Sequence, residues 1–335
     1  MPMSGKDFKK QHPDSQFCKL TIESECHGNF LFQTGVNVDD IRFDSYGMRM
    51  PGKIIFIDIT YIGTFFNKYG HYPCEYIEYS NDVFALLPYN KYKWIRSVNI
   101  DDDAIIYGQD GLYRATKLTL SEREDIWSND ELCKIIVTNC SWTLEFVHCQ
   151  TDEIRKLAVK QNGLVLKYLN EQTDEICKLA VKQNGLALEF VDNQTAEICK
   201  LAVKQNGWAL KYVNEQTDEI CLSAVKQNGL ALEFVDNQTD KICLSAVKQN
   251  GLALEFVDNQ TAEICLAAVK QNGSALEFVN NQTDEMCEIS VRQSGYNLAY
   301  VNKQTYLICK IAVQNSPHAS QFVSLYYKFM FLFDM

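Results

Sequence analysis

QTDEICKLAVKQNGLALEFVDN, residues 172–193, is the stretch that decides the fold, because it recurs almost unchanged every 22 residues. The Gln-Thr pair that opens each copy falls at Gln150-Thr151, Gln172-Thr173, Gln194-Thr195, Gln216-Thr217, Gln238-Thr239, Gln260-Thr261, Gln282-Thr283 and Gln304-Thr305. A degenerate copy precedes these, with Cys133 and Leu144-Glu145-Phe146-Val147 in the same phase. Self-similarity at a short fixed period marks a stacked repeat array.

Within one copy the signals are helical. Thr173 is an N-cap, and Asp174 and Glu175 follow in the first turn, where carboxylates suit the helix dipole. Ile176, Cys177, Ala180 and Val181 form one apolar stripe, and Lys182 sits in the last turn. Asn184-Gly185 is expected to close the helix, with the glycine in the left-handed conformation. Leu186 to Val191 is expected to be a second, shorter helix with Leu186, Ala187, Phe190 and Val191 inward and Glu189 outward. Helices this short are marginal alone, so stacking must hold them.

A leucine-rich repeat is the competing reading, since Ile176, Leu179, Val181, Asn184 and Leu186 fit its LxxLxLxxNxL template. Comparison of the copies separates the two. The Leu179 phase becomes Ser223, Ser245 and Ala267, while the Lys178 phase becomes Leu222, Leu244 and Leu266. One step reverses the face of a strand but turns a helix position by only about 100°. The exchange therefore favours helix, as does the wealth of Ala, Leu, Lys, Gln and Glu.

Stacking would turn each phase into a column. Seven of the thirteen cysteines (Cys177, Cys199, Cys221, Cys243, Cys265, Cys287, Cys309) are one such column. Helices pack roughly 8–10 Å apart, too far for a disulfide or a shared zinc, so these read as buried free thiols of a reducing compartment. A basic column runs through Lys160, Lys182, Lys204, Lys226, Lys248, Lys270 and Arg292. An acidic one runs through Glu153, Glu175, Glu197, Glu219, Glu263 and Glu285, interrupted by Lys241. Each sign sits at the helix end that prefers it, so helix-end electrostatics accounts for both. The Asn-Gln-Thr triplets at Asn193, Asn237, Asn259 and Asn281 are read as capping residues rather than glycosylation acceptors. Variation concentrates in the second helix: Trp208 replaces leucine, and Lys167 and Lys211 replace the acid found at Glu189, Glu233, Glu255 and Glu277. These seven residues are the candidate partner-binding surface.

The first half is different in kind. Residues 1–16 are polar and are expected to be disordered. Residues 17–125 read as a small α+β domain, with strands at Lys19–Ile22, Phe30–Phe32, Lys53–Ile59, Trp94–Ile100, Ala104–Tyr107 and Tyr113–Leu120. A short helix from Thr60 through Phe66, closed by Gly70, is also expected. The array is expected over residues 128–323, about nine copies, with residues 324–335 as a C-terminal cap. The overall expectation is an α+β domain followed by an all-α solenoid of helical hairpins.

No catalytic constellation emerges. Adjacent residues on a strand face opposite ways, so Cys26-His27 is no nucleophile–base pair. Tyr107-Gly108-Gln109-Asp110-Gly111 lacks the Lys-Ser/Thr of a phosphate loop. Cys133, Cys140, Cys149 and His148 match no usual zinc spacing. No catalytic residue, cofactor or metal is expected. A net charge of −11 over 335 residues disfavours nucleic acid. No apolar run is long enough to span a bilayer, and no secretory leader follows Met1, so an intracellular site is expected. The oligomeric state is not legible.

Two resemblances add to this. Glu25-Cys26-His27, Gly35-Val36-Asn37-Val38, Phe43, Met50-Pro51-Gly52-Lys53-Ile54-Ile55-Phe56, Lys68-Tyr69-Gly70, Arg96-Ser97-Val98 and Tyr113-Arg114-Ala115-Thr116-Lys117 together resemble the N-terminal domain of giant-virus (mimivirus-type) ankyrin-type repeat proteins. The resemblance departs from that pattern between His71 and Tyr92, where extra residues intervene. Ala180 to Val191 is similar to the AVKQNGLALEYV core of giant-virus repeats of a family of unknown function. The resemblances imply layout and a viral, host-cell context, and no activity. The expectation is a non-enzymatic scaffold for a protein partner. The alternatives are an enzyme in the N-terminal domain, ADP-ribosyltransferase-like in the order of its elements around His27, and a structural virion component.

Overall fold

The computed structural model describes residues 3–22, 26–27, 30–31, 33–38, 54–62, 64, 92–109 and 112–328. The Pro51-Gly52 turn, the end of the helix expected to close at Gly70, the insertion within residues 71–91 and the last seven residues of the expected cap lie outside these. The chain divides into two compact units, Met1–Glu171 and Gln172–Met335.

Among the described residues, the first unit carries a nine-stranded sheet and the first two helix pairs of the array. Its strands in chain order are β1 (Met3–Ser4), β2 (Phe17–Ile22), β3 (Cys26–His27), β4 (Phe30–Leu31), β5 (Gly35–Val38), β6 (Ile54–Asp58), β7 (Tyr92–Asn99), β8 (Ile105–Gln109), β9 (Leu112–Ala115), β10 (Lys117–Leu120) and β11 (Glu124–Asp125). The sheet order is β1-β8-β9-β6-β2-β7-β10-β5, with β11 also on β7, while β3 and β4 pair separately. Every described pairing is antiparallel. The run Tyr113–Leu120, expected as one strand, breaks at Thr116. Its backbone N–H donates to the Ile105 carbonyl and its hydroxyl accepts from Ile105 N–H, both at 3.0–3.1 Å. One half then pairs with β6 and β8, the other with β5 and β7.

Two expectations need correction here. Residues 3–11 are ordered: Met3 and Ser4 pair with Ile106 and Ile105, and Gly5–Gln11 is an α-helix capped by Ser4, whose hydroxyl accepts from Asp7 N–H. The cause is Phe8, 1% exposed and set edge-on to Tyr113 at 4.8 Å within the cluster of Phe17, Phe56, Ile106 and Leu118. One large apolar residue among lysines suffices when an aromatic core receives it. After β6 the helical stretch opens on a 3-10 turn, Ile59–Tyr61, capped by Asp58 rather than Thr60, and continues as α-helix at the described residues Ile62 and Thr64.

From Asp130 to Phe322 the described chain is a run of nine helix pairs, each an α-helix of ten residues followed by a 3-10 helix of six. No strand interrupts them, so the leucine-rich alternative is set aside. The first pair is tied to the sheet by Trp127, whose indole N–H donates to the Tyr92 carbonyl at 3.0 Å.

Candidate interaction surface

In each copy the α-helix begins as expected. Thr173 caps Asp174–Gln183 and accepts from Ile176 N–H at 3.3 Å, and the same bond recurs at Thr195, Thr217, Thr239, Thr261, Thr283 and Thr305. Ile176, Cys177, Ala180 and Val181 are buried, and Lys178 and Leu179 lie half-buried at the stripe's border. The exchange between those two phases is therefore tolerated.

The exit from the helix differs from expectation. Asn184 is extended (φ −147°, ψ 113°), and the described glycines with positive φ are Gly35 and Gly108, neither in the array. Asn184 Oδ1 accepts from Leu186 N–H at 3.1 Å and so starts the 3-10 helix Gly185–Phe190. The glycine is required for proximity. A Cβ on Gly185 would stand 2.5 Å from the Ala202 carbonyl oxygen of the next copy.

The 3-10 geometry also changes which side chains face inward. Residues three apart eclipse one another, so Gly185, Leu188 and Val191 share a face. Leu188 is fully buried, whereas Leu186 and Phe190, expected inside, are half-buried.

Of two glutamines per copy, the first ties the start of its copy to the end of the same copy's 3-10 helix, and the second joins neighbouring copies. Gln172 Nε2 donates to the Phe190 carbonyl at 2.7 Å, and its Oε1 accepts from Asp192 N–H at 3.1 Å. Gln205 Oε1 accepts from Gly185 N–H at 2.6 Å. Both patterns repeat down the array. In the Asn-Gln-Thr triplets it is thus the Gln and Thr that make the structural bonds.

The cysteine column completes the first ladder. Each thiol approaches the opening glutamine of its own copy, Cys177 Sγ to Gln172 Oε1 at 3.4 Å for example, and all seven are buried. Burial pushes the Cys177, Cys221, Cys287 and Cys309 thiols up to about 11, and raises Cys199, Cys243 and Cys265 as well. An unfolded chain releases these protons near the ordinary thiol value of 9.0, so above that pH it binds fewer protons than the folded state. Stability is therefore expected to fall between pH 9 and 11. Urea midpoints measured across that window should drop, and less steeply in a variant with Cys221, Cys243 and Cys265 changed to alanine.

All seven candidate surface residues are exposed: Lys167, Glu189, Trp208, Lys211, Glu233, Glu255 and Glu277. In the second unit Glu189, Lys211, Glu233, Glu255 and Glu277 share one phase of the 3-10 layer and Trp208 stands in the adjacent one, while Lys167 holds the same phase in the first unit. Trp208 packs edge-on to Phe234 at 5.5 Å, as Tyr296 does to Phe322 at 6.4 Å and Trp142 to Tyr168 at 6.1 Å. Lys167 lies 5.2 Å over the Trp142 ring and 4.6 Å over Tyr168; Lys211 lies 5.7 Å over Tyr212. Burial and the hydrogen-bonded Glu189 carboxylate hold the Tyr212 phenol above its ordinary value. Glu233, Glu255 and Glu277, in contrast, have no hydrogen bond or ion pair to a described residue.

The α-helical layer changes at the same place. Lys178 bridges Asp174 and Glu197 at 2.8 and 2.6 Å, and Lys200 bridges Glu219 at 2.7 Å. The next three residues of that phase are Leu222, Leu244 and Leu266. Glu263 and Glu285 consequently lack the lysine that the earlier acids have. Nothing in the sequence short of aligning both columns against the stacking direction would reveal this coincidence.

The other candidates do not converge. Cys133 Sγ donates to the Ile126 carbonyl at 3.5 Å, and His148 Nδ1 meets Ser128 Oγ at 3.1 Å. Among the described residues no group of three or more His, Cys, Asp or Glu could hold a metal ion. A cleft of about 640 Å³ in the first unit is lined by Cys18, Ser97, Glu124, Asn129 and Glu131 among others. The Cys18 thiol there is pushed far up by burial and by Asp58, so it stays protonated at neutral pH. The His27 side chain lies outside what is described, and its backbone pairs with Phe30. Among the described residues no helix is long and apolar enough to cross a membrane.

With helix pairs, ladders and surface in place, the chain is defined as one built from tandem helical repeats. A domain family of unknown function, DUF4116, matches it at residues 151–195, 173–217, 195–240, 217–261 and 239–283. Each match opens on an N-cap threonine and spans two helix pairs, so the family's unit is a doublet of the 22-residue copy. No curated protein and no solved structure matches the chain.

Proposed function

We propose that this chain is a non-enzymatic scaffold, a helical solenoid of the giant-virus repeat type that acts inside the host cell by binding a protein partner. One observation carries the reading. The copies keep their buried stripe and glutamine ladders while one exposed phase reads Lys167 in the first unit and, in the second, Glu189 and Lys211 before it turns acidic at Glu233, Glu255 and Glu277. A column with no intramolecular counter-charge has that charge available to a partner. Half-buried Phe234, Phe256 and Phe278 run beside it and supply apolar area. The complementary partner presents lysines or arginines around an apolar strip, and its association is salt-sensitive.

The test uses the full chain and a variant carrying E233K, E255K and E277K. Proteins captured from host extract by the wild type at low salt should bind the variant roughly tenfold more weakly, as expected for losing several interfacial charge pairs. Helical circular dichroism should be unchanged, since the three residues are exposed. If both proteins capture the same set equally well, the surface is not the binding site and the scaffold reading loses its support.

A further inference from the structure

The second unit turns from α-helix to 3-10 helix five times through the same dipeptide: Asn184-Gly185, Asn206-Gly207, Asn228-Gly229, Asn250-Gly251 and Asn272-Gly273. In an open chain Asn-Gly is prone to deamidate, because no Cβ shields the glycine nitrogen from the asparagine side chain. That nitrogen loses its proton to solvent base and attacks Cγ. A C–N bond forms, the side-chain amide leaves as ammonia, and a succinimide ring remains. Water then opens the ring to aspartate or isoaspartate.

In the folded array both reacting groups are engaged. Gly229 N–H donates to Gln249 Oε1 at 2.6 Å, and Asn228 Oδ1 accepts from Leu230 N–H at 3.1 Å. The other four turns repeat the arrangement, with Gln205, Gln227, Gln271 and Gln293 on the glycine nitrogens. The nucleophile is thus held as a hydrogen-bond donor to the next copy, and the electrophile is held over the residue two ahead.

We propose that these five turns are latent modification sites, each locked by the glutamine of the following helix pair and released when that pair opens. Repeat arrays open in part, copy by copy, rather than all at once. Isoaspartate puts an extra methylene into the backbone at a turn with no space for it, since a mere Cβ on Gly229 would meet the Ala246 carbonyl oxygen at 2.5 Å. A copy that reacts while open cannot reseat. A transient opening becomes a permanent loss of that part of the array, and each event adds one negative charge.

The experiment compares the full-length wild type, the Gln249→Leu and Gln249→Glu variants, and the wild type unfolded in urea. All are held in mildly alkaline buffer and sampled by peptide mass spectrometry. Native wild type should deamidate at all five asparagines far more slowly than the unfolded chain. Q249L should speed Asn228 roughly five- to tenfold, the factor of one lost hydrogen bond, and leave Asn184 unchanged. Q249E, which keeps an acceptor for Gly229 N–H, should restore slow reaction at Asn228. Equal rates in native and unfolded wild type would overturn the proposal. So would acceleration of Asn184 and Asn228 alike in Q249L, or acceleration by Q249E as large as by Q249L.

Discussion

Gly229→Ala is expected to destabilise the array by about 3 kcal/mol, the upper part of the range for forcing an extra methyl into a packed interior. The added Cβ would lie 2.5 Å from the Ala246 carbonyl oxygen, 2.8 Å from Gln249 Oε1 and 3.1 Å from Asn250 Cβ. Two of these three are not flexible tips. The carbonyl belongs to the α-helix Asp240–Gln249, so relief requires that helix to move away and break the Gly229–Gln249 bond as it goes. Propensity alone predicts the opposite sign, since alanine favours helix over glycine by about 1 kcal/mol. Urea unfolding followed by circular dichroism decides between them. A lowered midpoint, with the transition split because two neighbouring copies no longer dock, agrees with close approach. A raised or unchanged midpoint would mean that the copies stand further apart than described.

The same glycine shows where sequence reading succeeds and where it stops. Threonine caps, the apolar stripe and the border position shared by Lys178 and Leu179 were legible, because each depends on a few residues inside one helix. So was the outward column of Lys167, Glu189 and their counterparts. The conformation of Leu186–Val191 was not, since six residues are too few for periods of 3.0 and 3.6 to diverge, so Leu186 and Phe190 were set inward and Leu188 was given no place. Gly185 was assigned a left-handed role because that is the local reason for glycine after a helix. Its actual reason lies in Ala202, in another copy. Phe8 was lost among lysines for a related cause, since its partners Phe17, Phe56 and Tyr113 are distant in sequence. Likewise, the charge of each exposed residue could be read from its letter. Whether that charge is already neutralised, as for Glu197 by Lys178, or left over, as for Glu233, depends on how copies meet.

The glutamine ladder supplies the other large effect. Gln216 Nε2 donates to the Phe234 carbonyl at 2.7 Å, while its Oε1 accepts from Asp236 N–H at 3.1 Å and from Cys221 Sγ at 3.3 Å. Gln216→Leu keeps the volume and removes all three partners, leaving a carbonyl and a buried thiol unsatisfied. The expected loss is about 2–3 kcal/mol, from two net hydrogen bonds and part of the desolvation of the Phe234 carbonyl. Gln216→Glu distinguishes this from a mere change in packing. A carboxylate still accepts from Asp236 N–H and the thiol, but it sets an anionic oxygen against the Phe234 carbonyl, so at neutral pH this variant should be at least as unstable as Q216L. Protonated, it regains a donor for that carbonyl. The folded state therefore raises the glutamic acid's pKa above its unfolded value, and the recovered stability is fully present below the unfolded value of about 4.3 and lost as pH rises through the folded one. Relative to wild type at each pH, Q216E should recover toward pH 4 while Q216L stays constant. If the two variants keep the same gap from wild type at every pH, then Gln216 acts by filling space, and its bonds to Phe234, Asp236 and Cys221 add nothing to stability.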